Sequence, residues 1–157
     1  MSGISIESTS CRRIIGRLET GDDLRAGIIQ QAKLHNVTAG TVTAIGALSR
    51  LEVSEYHQDK RRYTYPIKRE AAVEVLNLTG NLTLRDEELV LHAHIVASYT
   101  DEDELLSGTV HFIGGHVVAG TVYALEFEIQ AMDDVLLHRG MHGPTGLTLW
   151  DRVERKL

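Results

Sequence analysis

Histidines carry most of the chemistry that this sequence offers. In the run Leu89-Val90-Leu91-His92-Ala93-His94-Ile95-Val96-Ala97 two imidazoles stand two residues apart, and along a strand such residues project from one face. Two ring nitrogens placed in this way can converge on one ion. A third imidazole, His116, follows Gly114-Gly115, where paired glycines permit tight backbone paths and close approach by neighbouring groups. His92, His94 and His116 together make a donor set for zinc or another divalent transition metal, with a coordination position left open. A plainer account fits the same residues: His92 and His94 as polar groups on a solvated or intersubunit face, and His116 as the cap of a turn. His111 precedes His116 by a turn of strand and has a weaker claim. His138 and His142, close to Gly143-Pro144, read as surface loop residues.

Two carboxylates raise a related question. Glu126 in Tyr123-Ala124-Leu125-Glu126-Phe127-Glu128 and Glu74 in Ala72-Val73-Glu74-Val75-Leu76 interrupt apolar strands. A carboxylate buried there needs a cation, a metal or a donor. Strand alternation also allows an outward or interface-facing charge. Beside a metal either residue could move a proton, so Glu126 and Glu74 are the candidate catalytic groups. Lys60, Arg61, Arg62, Lys68 and Arg69 cluster on or beside one charged turn, where they are either candidate nucleic-acid contacts or an ordinary solvated hairpin tip. No HExxH, P-loop, nucleophile elbow or dinucleotide fingerprint names a reaction.

The elements that must position these groups follow from periodicity. Thr20 with an acid three residues later predicts a helix start. Leu24, Ile28, Ala32 and His35 recur at helical spacing, giving about fifteen residues with one apolar face before Asn36-Val37. Ile14 to Arg17 is a short apolar start. From Thr38 onward, short segments rich in Val, Ile, Thr and Leu predict strands at 40–45, 51–57, 62–67, 72–79, 81–84, 89–97, 109–113, 117–129 and 147–152. Charged turns are expected at 58–62 and 85–88. The predicted fold class is α+β: mainly antiparallel sheet packed with one principal helix.

The length, 157 residues, suits one domain over 1–157 with its core at about 14–150. Cys11 is the single cysteine, so no internal disulfide can form. The N-terminus lacks the apolar centre of a signal peptide, and no apolar stretch approaches the length of a membrane span, so a cytoplasmic protein with no membrane partner is expected. A net charge of −6 opposes nonspecific binding to a phosphate backbone.

Four segments in order resemble the PPC (plant and prokaryote conserved) domain family: Thr43-Ala44-Ile45-Gly46-Ala47, Val73 to Asn81, Leu91-His92-Ala93-His94 and Gly114-Gly115-His116. The stretches Gly120 to Glu126 and Thr145 to Trp150 extend the likeness. The resemblance implies an antiparallel sheet with one helix, assembly as a homotrimer, and a metal site grouping the H-x-H pair with the GGH histidine. It also implies a link to DNA, although the Arg-Gly-Arg-Pro hook of plant members is missing from this chain. The connection over 99–112 is longer than the family pattern, so His111 could substitute as a ligand. Two functions follow: a trimeric DNA-binding or regulatory module carrying a histidine metal site, or a zinc-dependent enzyme of unknown substrate using a metal-bound water.

Overall fold

Four long strands dominate the computed structural model, which describes residues 3–101 and 108–156. In chain order the elements are β1 (Cys11–Leu18), α1 (Leu24–Leu34), β2 (Gly40–Ser54), β3 (Tyr56–His57), β4 (Arg62–Tyr63), β5 (Ile67–Arg69), β6 (Val73–Arg85), β7 (Glu88–Tyr99), β8 (His111–Met132), β9 (Val135–His142) and β10 (Leu147–Arg155). β2 pairs antiparallel with both β6 and β8, and β7 joins β6 to β8. The four strands therefore close a ring of pairings, which protects backbone groups that an open edge would expose. β1 adds to β8, β5 to the second half of β2, and the β9–β10 hairpin touches β6 through a parallel contact at Leu84 and His138. The antiparallel sheet with one helix is as expected, with strands outweighing helix.

Three pairs of expected strands are single strands. The segment 40–45 and most of 51–57 merge into β2, which continues through Gly46, while Tyr56–His57 form the separate β3. The φ of Gly46 is +142°, and a Cβ there would collide with the carbonyl of Ala124; at this point the extra residue lies on β6, where Leu76 and Asn77 stand opposite Ile45 alone, and the pairing resumes on either side. Likewise 72–79 joins 81–84 in β6, and 109–113 joins 117–129 in β8. The strand expected at 62–67 divides into β4 and β5 around Pro66, which has no N–H to give a ladder. The turn expected at 85–88 is a tight hairpin with Asp86 and Glu87 both at positive φ.

The helix starts later than Thr20. Gly21 N–H donates to the Val122 carbonyl at 2.8 Å and Val122 N–H to Asp22 at 2.9 Å, so this stretch is held against β8. Asp23 is the N-cap, accepting from Ala26 N–H at 2.8 Å. Leu24, Ile28 and Ala32 form the buried face, while His35 is the exposed C-cap. Leu48, Leu78 and Leu125 are at most 1% exposed in the main core, each burial stabilising the fold by roughly 1.5–3 kcal/mol.

β1 and β9 were not expected as strands. β1 buries only Ile14 and Leu18, a spacing of four that lacks the period of two. β9 buries Val135, Leu137 and His138 and so breaks alternation. His138 is 8% exposed, not a surface loop residue, whereas His142 is exposed at the strand end. In the connection over 99–112, residues 102–107 lie outside the described residues; at its two ends Tyr99 and His111 are cross-strand partners. Among the described residues, no helix is long and apolar enough to cross a membrane.

Candidate metal centre

Strand register brings the three histidines together. In β7, Leu91, Ala93, Ile95 and Ala97 are buried, so His92 and His94 share the opposite face. β8 runs antiparallel beside it with His116 directly opposite His94, and side chains directly opposite lie on one face. His92 stands one repeat along from this pair. Gly115 has φ +146°, and a Cβ there would lie 2.9 Å from the Ser54 carbonyl; the residue before His116 must be glycine for β8 to pass this close to β2.

The ring centroids lie 5.1 Å apart for His92–His94 and His92–His116, and 5.5 Å for His94–His116. One ligand nitrogen from each lies within 4.8 Å of the others. Tetrahedral zinc with Zn–N near 2.0–2.1 Å needs nitrogens roughly 3.3 Å apart, a contraction within reach of side-chain rotation. Nδ1 of His116 is buried without a hydrogen-bond partner, a cost that an ion or a bound molecule would remove. The donor set therefore fits a divalent transition metal.

Burial, followed by the Arg139, His116, His94 and Arg25 charges, lowers the pKa of His92 from 6.5 to about 4. Burial, followed by His94, Arg25 and Arg139, lowers that of His116 to about 4 as well. Both rings are neutral at physiological pH, the form that ligates metals.

Two recesses meet at the cluster. One, of about 270 Å³, is lined by Arg25, Tyr63, Arg85, His92, His116 and Arg139 among others. The other, of about 450 Å³, includes Glu55, Tyr56, His94, His116 and Leu147. The β3–β4 hairpin forms a wall: the Tyr63 ring lies 5.0 Å from His116 and 5.2 Å edge-on from Tyr56. Tyr56 Oη donates to the Thr145 carbonyl at 2.5 Å, tying this hairpin to the β9–β10 turn. Arg139 donates to His92 Nδ1 at 3.1 Å, Asn81 Oδ1 at 3.0 Å, Thr83 Oγ1 at 2.9 Å and the Thr148 carbonyl at 3.1 Å. Because a neutral imidazole has one lone-pair nitrogen, an ion on His92 requires that ring to turn or Arg139 to release it.

The other sequence candidates lie elsewhere. Glu74 and Glu126 are exposed and line a groove with Ile45, Leu76 and Tyr123; Glu126 is ten residues along β8 from His116. His111 stacks on Tyr99 at 5.2 Å and is not in the cluster. Lys60, Arg61 and Arg62 are exposed at the hairpin tip. Lys68 pairs with Glu52 at 3.2 Å; Arg69 pairs with Asp101 at 3.0 Å and lies over the Tyr99 ring. Arg25, Glu55, Tyr63 and Arg139 were missed. No spacing rule ties them to the histidines; only the charged hairpin around Tyr63 was visible in advance.

Fold and site together define a histidine-centred strand-ring module. The Plants and Prokaryotes Conserved (PCC) domain pattern matches residues 5–133, and the chain belongs to that family. No curated protein sequence matches the chain. Among solved structures it is similar to a metal-containing protein from Archaeoglobus fulgidus, with 26% identity, coverage of 97% of this chain and 100% of that one, and a TM-score of 0.81. A plant- and prokaryote-conserved (PPC) protein from Pyrococcus horikoshii is 25% identical over 94% of this chain and 98% of its own, with a TM-score of 0.78. A Bacteroides thetaiotaomicron structure named "putative dna binding protein" shares the fold at 21% identity, covering 88% of this chain and 91% of that one, with a TM-score of 0.75.

Proposed function

We propose that this PCC-domain chain is a self-associating binding module built round a divalent transition-metal centre held by His92, His94 and His116. The observation that carries this reading is the meeting of three imidazoles from two strands, with ligand nitrogens within 4.8 Å. That the similar Archaeoglobus fulgidus protein is a metal-containing one adds support. Imidazole donors suit zinc among other transition metals. Element analysis of purified protein tests the reading: about one ion per chain is expected, and none in the His92→Ala/His94→Ala variant. A native protein that neither carries nor takes up an ion would overturn it.

Self-association is supported by the outer face of the strand ring, and its form as a homotrimer is what the family resemblance implies. Ile15, Ile45, Leu76 and Tyr123 are exposed and line two grooves that share Ile45 and Leu76; contiguous exposed apolar surface of this kind marks interaction sites. Glu74 and Glu126 rim it, which gives these carboxylates an interface role. For DNA, the exposed Lys60, Arg61 and Arg62 are the available phosphate contacts, since Lys68 and Arg69 are engaged in ion pairs.

The recesses favour one second reading, a zinc-dependent enzyme. When bound, the metal supplies a Lewis acid with an open coordination position. Tyr63 and Leu147 would shield that position from solvent. The carboxylate that lines the histidine recess is Glu55, so Glu55 replaces Glu126 and Glu74 as the group able to hold a proton there.

A further inference from the structure

The recess beside His92 and His116 is a cationic pocket in an acidic chain. Its described lining contains Arg25, Arg85 and Arg139 and no carboxylate, although the net charge of the chain is −6. Arg139 is surrounded by neutral acceptors: Asn81, Thr83, the Thr148 carbonyl and His92. Among the described residues Arg25 likewise donates only to the Val118 and Leu91 carbonyls, at 3.3 Å each. Arg85 has Asp86 at 3.8 Å, and both of those side chains are exposed. Partly buried guanidinium groups without a counter-ion are costly, and burial lowers the pKa of Arg139. Their planar forks suit carboxylate and phosphate oxygens.

We infer that this pocket binds the oxyanion of a small ligand, a carboxylate or a phosphate group, with Arg25 and Arg139 as its charge partners and Arg85 at the mouth. The volume of about 270 Å³ falls just below the usual range of about 300–1,000 Å³ for drug-sized ligands, so the ligand is small. Tyr63 and Leu147 offer apolar surface to the remainder of it. The inference does not need the metal, because the arginines are cations in either state. A divalent ion on the neighbouring imidazoles would add positive charge and strengthen binding.

The test uses chelator-treated, dialysed full-length protein titrated with inorganic phosphate and, separately, malonate. Thermal midpoint and calorimetric heat are read at constant ionic strength against chloride. Saturable binding of phosphate, of malonate or of both is expected, and the arm that saturates at lower concentration names the group. Arg139→Gln should weaken that binding about tenfold or more. Since Arg139 has four partners and its loss can impair folding, Arg25→Gln is the parallel variant, and far-UV circular dichroism confirms that each is folded. Absence of saturation in both arms, or unchanged affinity in folded Arg25→Gln and Arg139→Gln proteins, would overturn the inference. Zinc titration of the same samples reports on the metal centre independently.

Discussion

His92 and His116 are neutral in the fold because burial and nearby arginines oppose their protonation. In the unfolded chain they titrate near 6.5. Their folded pKa values, about 4, are depressed, so the unfolded state binds more protons between these values. The stability they carry is complete above about pH 6.5 and is lost as pH falls toward about 4. For metal-free protein, the thermal midpoint should fall through that window, and the fall should be shallower in His92→Gln/His116→Gln; equal slopes would contradict the assignment. At the same scale, His116→Ala should weaken zinc binding by more than the roughly 10–100-fold typical of losing an outer-shell partner, as read by competition with a chromophoric chelator. Loss comparable to an outer-shell change would remove His116 from the ligand set.

Gly115 links side chain to element. Gly115→Ala must place a Cβ 2.9 Å from the Ser54 carbonyl at a φ of +146°, so destabilisation on the order of 1–3 kcal/mol is expected, measurable by urea denaturation. Zinc affinity should fall with it, because His116 is the next residue on β8. The H-x-H pair was legible because the period of two in β7 leaves a single outcome for residues 92 and 94. The glycines before His116 were legible as sites of close backbone approach. What sequence could not give was register: the pairing of His94 with His116, and the shift of β2 against β6 between Ala44 and Gly46, depend on contacts across the ring. β1 escaped notice because Ile14 and Leu18 are its only buried residues, and β9 because His138 follows Leu137 into the interior. Arg139 was hidden with β9.

The whole molecule presents two surfaces with different tasks. In the proposed function the histidine recess takes a small ligand, while the exposed face of Ile15, Ile45, Leu76 and Tyr123 packs against other copies of the chain. Sedimentation equilibrium should give a mass three times the 17.4 kDa chain, and Ile45→Asp/Tyr123→Asp should shift it toward monomer with the fold retained; a monomeric wild type would contradict the trimer. Any DNA binding should weaken steeply with salt and with Lys60→Ala/Arg61→Ala/Arg62→Ala, as read by gel shift. The family link was legible at this scale from four ordered segments. The expected core at about 14–150 and the family match at 5–133 differ because β9 and β10 continue beyond the matched segment.

Anomalous diffraction at the zinc edge, from crystals grown with zinc, tests the metal centre most directly. A peak about 2.0–2.1 Å from a nitrogen of each of His92, His94 and His116 is predicted. No peak among these rings with zinc in excess, or zinc held only by other residues, would contradict it.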